Sequence, residues 1–335
     1  MTTYIVLIIG VALLFDFING FHDAANSVAT LVATKAFPHR FYAVLWAAFW
    51  NFIAFKFLGT GVAKAIGKDI IEPIAINPTV ILSGLIGAIV WNLYTWYKGI
   101  PSSSSHALMG GFAGGAIAHA NSFGALIGPG WVKPVLFIII APMVGFFLSK
   151  FLLWMVNLLV RKIPEKTVNK NARWFQYFSA AAFSFGHGAN DAQKTMGIIT
   201  ALLVSVGYLK DFHVPIQVVL LAHAAIALGT LFGGWRIVHT LAHGITKKDM
   251  RPHEGFCAET AAALCLIPAT LWKVPLSTTH TITGAITGIG ASNGGRSNLT
   301  EKKLWEILKA WLATMVVSAG MAALCYYSLS QFNFR

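Results

Sequence analysis

Ten stretches of this chain run with scarcely an ionised side chain, near residues 1–15, 42–63, 79–98, 104–120, 131–160, 174–206, 215–235, 255–273, 280–292 and 304–330. About 20 apolar residues carry a helix across bilayer hydrocarbon, and most of these runs reach that length. Charged residues make up 11% of the chain, against roughly a quarter of a soluble domain. Too few remain to coat a globule, which excludes a cytosolic enzyme, a disordered chain and a nucleic-acid partner. The excess of 25 Lys and Arg over 12 Asp and Glu therefore reads as a topology signal. Cys257, Cys265 and Cys325 sit in apolar runs without metal-ligand spacing and read as packing residues. The first run lacks a basic n-region and a small-residue cleavage site, so it reads as a helix and not a leader. The expectation is an all-α, multi-pass integral protein of the cell (inner) membrane, with lipid as its surroundings.

Two motifs occur twice, in the same order. F-D-F-I-N-G-F-H-D-A-A-N-S at 15–27 answers F-S-F-G-H-G-A-N-D-A-Q-K-T at 183–195, with Phe15, Phe17, Gly20, Asp23 and Ala24 falling on Phe183, Phe185, Gly188, Asp191 and Ala192. Pro101-Ser-Ser-Ser-Ser-His106 through Gly110 then matches Pro275-Leu-Ser-Thr-Thr-His280 through Gly284. A duplication follows: a first repeat over 1–160, a hydrophilic cytoplasmic connector over 161–173, and a second repeat over 174–335. The runs at 104–120 and 280–292 are short and rich in Gly, Ser and Thr. They read as halves of re-entrant hairpins, about 79–120 and 255–292, with the Ser/Thr clusters at the tips. With the first helix running inward, 14 basic residues fall in segments assigned to the cytoplasm and four (Lys64, Lys68, Lys210 and Arg335) outside, as positive-inside topology requires. The repeats are then inverted, an arrangement common in secondary transporters.

A carboxylate at mid-membrane costs at least ~2.5–3.5 kcal/mol, so Asp23 and Asp191, equivalent in the repeats, are candidate functional groups. Asp16 and Glu259 lack acidic mates and are weaker candidates. Gly20 and Gly188 are expected to interrupt their helices, a break that lipid tolerates only beside a cavity or ligand. Around each break Asn19, Asp23 and Asn26, or Asn190, Asp191 and Gln193, offer oxygens suited to a small hard cation. Ser103, Ser104 and Ser105, with Ser277, Thr278 and Thr279, offer hydroxyls at helix starts, whose free N–H groups favour an anion. Carboxylates beside an anion site make sense when the anion carries its own proton. Monohydrogen and dihydrogen phosphate do; sulfate at neutral pH does not. A site using that proton can reject an analogue lacking it by roughly 10⁴-fold. The expectation is a phosphate site with a co-transported cation, sodium or proton, sodium being assigned to Asp23 and Asp191. No organic cofactor is implied.

These residues resemble the inorganic phosphate transporter (PiT) family of cation-coupled symporters. Its paired signature looks like Gly188-Ala-Asn-Asp191-Ala-Gln-Lys-Thr-Met-Gly197, with a divergent first copy, Gly20-Phe-His-Asp23-Ala-Ala-Asn26, where His22 replaces the usual Asn. The resemblance spans nearly the whole chain. It implies a homodimer of inverted repeats and points to Asp23, Asn26, Asn190, Asp191, Ser103–Ser105 and Ser277–Thr279 as the site.

Other polar residues carry smaller expectations. His106 and His280 follow the tips and are expected to bond the tip backbone, with proton relay as the alternative. Lys194 could counter Asp191 or contact phosphate. His119, His187, His223, His239 and His243 do not recur and are expected at interfaces. Gly110, Gly114, Gly284 and Gly288 give small-x-x-x-small spacing for close packing. Asn at 23 or 191 is expected to abolish coupled uptake without harming the fold. The rival functions are a permease for sulfate or another oxyanion, an intramembrane hydrolase or phosphotransferase, and a passive anion channel. The sequence offers no H-E-x-x-H for the enzyme, and a channel has no use for paired carboxylates.

Overall fold

A computed structural model of the chain describes residues 2–57 and 59–331, and among these the structure is helical with only two isolated β-bridges. The helices are α1 Thr2–Ala33, α2 Arg40–Ile53, α3 Gly61–Lys68, α4 Pro78–Lys98, α5 Ser104–Ala120, α6 Gly128–Val160, α7 Glu165–Ser205, α8 Ile216–Phe232, α9 Trp235–His239, α10 Pro252–Leu271, α11 Thr278–Ser292 and α12 Glu301–Gln331. Five (α1, α4, α6, α10 and α12) are long and apolar enough to cross a membrane by themselves, and the bent pairs α2–α3 and α8–α9 qualify as two more. The expected hairpins are α4–α5 and α10–α11. In the first, Gly84 lies on the backbone of Gly111 and Phe112 while Gly115 lies on Val80, so the two helices run antiparallel. Asn77 starts α4 by accepting from Val80 N at 3.0 Å, with Pro78 in the first turn, where its missing N–H costs nothing. Both long arms end in the same turn. Ile100 N bonds Thr95 O and Val274 N bonds Ala269 O, around the left-handed Gly99 (φ 65°) and Lys273 (φ 61°).

The connector is mostly helix: 161–164 lie between α6 and α7, and Pro164 at the N-cap with Glu165 behind it starts α7. One expectation fails locally. Gly20 and Gly188 do not break their helices, since α1 and α7 run straight through them. A Cβ at Gly20 would strike the carbonyl of Ile226 on α8, and one at Gly188 the carbonyl of Asn51 on α2. These glycines admit a neighbouring backbone. Bends occur instead in the two bent pairs, as between α8 and α9, which turn by 63° at Gly233–Gly234.

The halves exchange partners. Gly110 and Gly114 of α5 seat on Met315 and Ala319 of α12, while their mates Gly284 and Gly288 of α11 seat on Pro142 and Phe146 of α6. Likewise α1 lies on α8, and α7 on α2. Two apolar cores result. One joins the second half of α1 (Ala25, Val28, Ala29, Leu31) to Ala180 and Phe183 of α7, with α10 and α11. The other joins the first half of α1 (Ile8, Ala12, Phe15) to Ala192, Met196 and Leu202 of α7, with α4 and α5. Residues 19–23 of α1 and 187–191 of α7 lie where one core gives way to the other. Each tip begins the short helix of its hairpin, and both tips reach this level.

Candidate functional site

Asp23 (2% exposed) and Asp191 (0%) come from the repeated segments of α1 and α7. Together with His187 each offers one ligand atom, and these atoms all lie within 4.8 Å of one another. His187 Nδ1 is 3.1 Å from Asn51 Oδ1, while Asn51 Nδ2 donates to Thr230 Oγ1 at 2.9 Å. The amide oxygen can only accept, so Nδ1 carries the ring proton of the neutral side chain. Nε2 then holds a lone pair aimed at Asp191 Oδ2, 3.6 Å away. Neither atom has a hydrogen-bond partner among the described residues. Two buried acceptors facing each other call for a proton or a small cation between them.

The other oxygen of Asp191 accepts from Lys194 Nζ at 2.6 Å. Lys194 also donates to Ser105 Oγ and, at 3.0 Å, to Leu276 O. In the first half, His22 Nδ1 donates to Asp23 Oδ1 at 2.6 Å, and its Nε2 lies 3.1 Å from Thr95 Oγ1. Ser104 Oγ donates to the same carboxylate oxygen at 3.3 Å. Asn26 Nδ2 reaches Thr279 Oγ1 at 2.8 Å and Thr278 Oγ1 at 3.3 Å, leaving its own Oδ1 without a partner.

The tips divide their hydroxyls between two tasks. Ser103 Oγ accepts from His106 N and Ser277 Oγ from His280 N, each at 3.2 Å, so these two are N-caps of α5 and α11. Ser105, Thr278 and Thr279 accept from Lys194 or Asn26, which leaves each O–H free to donate. The first turns of α5 and α11 are buried, and each helix start carries N–H groups without an intrahelical partner. Ser104 thus meets Asp23 directly, and Lys194 links the first tip and the loop before the second to Asp191. His106 and His280 lie ring against ring, 4.9 Å between centroids, with His280 stacked on Trp311 at 3.9 Å. A cleft of about 690 Å³ reaches the second tip at Pro275, and Lys64, Lys68, Lys133 and Lys273 line it.

A profile of the phosphate transporter family matches residues 19–322. The chain belongs to the phosphate transporter family. A protein of Rhizobium meliloti (strain 1021) named "Probable low-affinity inorganic phosphate transporter" is 51% identical over 324 residues, 96% of this chain and 95% of its own length. A Bacillus subtilis (strain 168) protein of the same name is 43% identical over 97% of each chain. A solved structure described as "The sodium-dependent phosphate transporter" shares the fold, with a TM-score of 0.88 over 98% of this chain and 99% of that one at 22% identity.

Within this member of the phosphate transporter family, several expected site residues serve the scaffold. Gln193 Oε1 accepts from Val62 N at 2.8 Å and Ala63 N at 3.3 Å, capping α3, and its Nε2 donates to Ala189 O at 2.7 Å. Asn190 donates to Thr270 Oγ1 and Val274 O and accepts from Leu276 N, pinning the second hairpin from behind the tip. Glu259 lies in a separate network, accepting from Thr30, Gln176 and Ser179. Asp16 accepts from Thr195 at 2.9 Å one turn from Asn19, whose Oδ1 is buried without a partner. His187, expected at an interface, stands in the site. Its one sequence signal was its place on the helical face of Asp191, four residues away.

Proposed function

We propose that this chain imports inorganic phosphate across the cell membrane, holding the anion between the two tips and moving it with a cation, sodium or a proton. One observation carries the reading: buried hydroxyls of the first tip lie at Asp23 and, through Lys194, at Asp191, and those of the second tip lie at Asn26, three residues from Asp23. The donors suit the oxygens of phosphate, and Asp23 and Asp191 suit the proton or cation that must accompany it. Monohydrogen phosphate can donate to a carboxylate; sulfate would meet it with acceptors alone. The atoms His187 Nε2, Asp191 Oδ2 and the Asp23 carboxylate would hold the travelling cation. The names of the family and of the Rhizobium and Bacillus relatives support phosphate as cargo, and that of the solved neighbour supports sodium. The chain's own residues would do the work, without cofactor, and the resemblance implies a homodimer.

Uptake of labelled phosphate into proteoliposomes tests this, with sodium and proton gradients imposed separately and with excess sulfate. Accumulation above equilibrium under one gradient, unaffected by sulfate, is the expected result. Equal competition by sulfate would favour the general oxyanion permease, and uptake that only equilibrates would favour a channel.

A further inference from the structure

We propose that the ammonium of Lys194 is a built-in cation, occupying in the second repeat a position that a co-transported cation would otherwise fill, and so sets the cation requirement of transport. The proposal rests on the phosphate symport reading above.

The argument starts from the ligands. Lys194 is 2% exposed, and its Nζ meets a carboxylate oxygen of Asp191, the hydroxyl of Ser105 and the carbonyl of Leu276. Carboxylate, hydroxyl and carbonyl oxygens are the set that binds a hard cation. They come from α7, from the first tip and from the loop leading into the second. A cation there ties both tips to the helix that carries Asp191.

The duplication supplies the comparison. At the offset that places Asp191 on Asp23, Lys194 falls on Asn26. Ser105 and Thr279 are likewise mates in the tip motif. The contact Lys194–Ser105 in one half is therefore the counterpart of Asn26–Thr279 in the other. The same place in the architecture holds a neutral amide once and a positive charge once. Both donate to a tip hydroxyl, so bonding the tip does not require the charge. What the charge adds is compensation of Asp191 without a cation from solution. The oxygen Oδ2 of Asp191 remains for the site shared with His187 and Asp23. Asp191 thus bridges a resident cation and a travelling one.

The test is Lys194→Asn, which gives the second half the residue of the first, with Lys194→Arg as the charge-preserving control. Purified full-length proteins are reconstituted, and labelled phosphate uptake is measured in sodium chloride and in choline chloride. The ratio of the two rates is compared with the wild-type ratio. In Lys194→Asn that ratio should rise at least about tenfold, because sodium must now neutralise Asp191, and in Lys194→Arg it should stay within about twofold of the wild type. An unchanged ratio in Lys194→Asn overturns the proposal, as does a folded variant inactive in both salts. Recovery of folded Lys194→Asn from sodium-containing medium alone supports it, and failure to recover it from either medium overturns it. The double variant Asp191→Asn/Lys194→Asn removes both charges, and its thermal stability should respond to sodium less than that of Lys194→Asn; a response equal to that of the single variant overturns the assignment of Asp191 as the ligand. Wild-type vesicles that take up no phosphate would instead refute the symport reading itself.

Discussion

Within one tip, two neighbouring hydroxyls should behave oppositely when removed. Ser277 Oγ accepts from His280 N, and Thr279 Oγ1 accepts from Asn26 while keeping its own proton for a ligand. Ser277→Ala removes an N-cap from a buried helix start, which costs about 0.5–2 kcal/mol of stability. The α11 backbone and Thr279 stay in place, so phosphate affinity should change by less than about twofold. Thr279→Ala removes one donor to a charged oxygen, near the lower end of the ~1.5–3 kcal/mol for such bonds. At about 1.4 kcal/mol per decade, phosphate affinity should fall roughly tenfold or somewhat more. Asn26 Nδ2 retains Thr278 at 3.3 Å, so the stability loss should stay within about 1 kcal/mol. Helix N–H groups and the first tip remain, hence binding weakens without vanishing. Thr279→Ser keeps the hydroxyl and should stay near wild type. Titration calorimetry of phosphate into purified protein, run beside thermal unfolding, gives both quantities for each variant. If Ser277→Ala loses affinity and Thr279→Ala only stability, the division of tasks is wrong. Stability loss alone in both would mean the tips are merely capped helix ends.

Asp23→Asn should abolish accumulation of phosphate against its gradient while leaving the fold intact. Asp191→Asn should abolish it as well but also destabilise the protein, because it strands the Lys194 ammonium in a buried site; breaking such a pair costs about 3–5 kcal/mol. That departs from the expectation that either change spares the fold, and thermal unfolding of the two variants side by side checks it. Glu259→Gln should retain transport, since its oxygens meet Thr30, Gln176 and Ser179 and no tip group. Its amide nitrogen would face donors, costing about 1–3 kcal/mol of stability. Lys64→Gln with Lys68→Gln should raise the KM for phosphate at low ionic strength and leave the maximal rate alone. The effect should fade with added salt, because these exposed lysines line the cleft that reaches the second tip and act only through their field.

Hydropathy and duplication made the membrane class, the hairpins and the tip motifs legible, because each is a local or periodic property of the chain. The Ser/Thr clusters preceding His106 and His280 were readable as helix starts for the same reason. Which hydroxyl caps and which stays free was settled by whether Asn26 or Lys194 lies opposite, and those partners sit 253 and 89 residues away in sequence. Gly20 and Gly188 read as breaks from composition. In the folded chain they are contact points, because the carbonyls of Ile226 and Asn51 come to rest against them. Gln193 looked like a cation ligand until α3 arrived beside it with two unpaired N–H groups. His187 entered the site because α2 brings Asn51 to fix its tautomer and α1 brings Asp23 within reach. A sequence prescribes which groups must leave water and which helix face they share. The partner each buried polar group finds depends on how α1 and α7 cross the helices of the opposite half, and only the tertiary structure decides that.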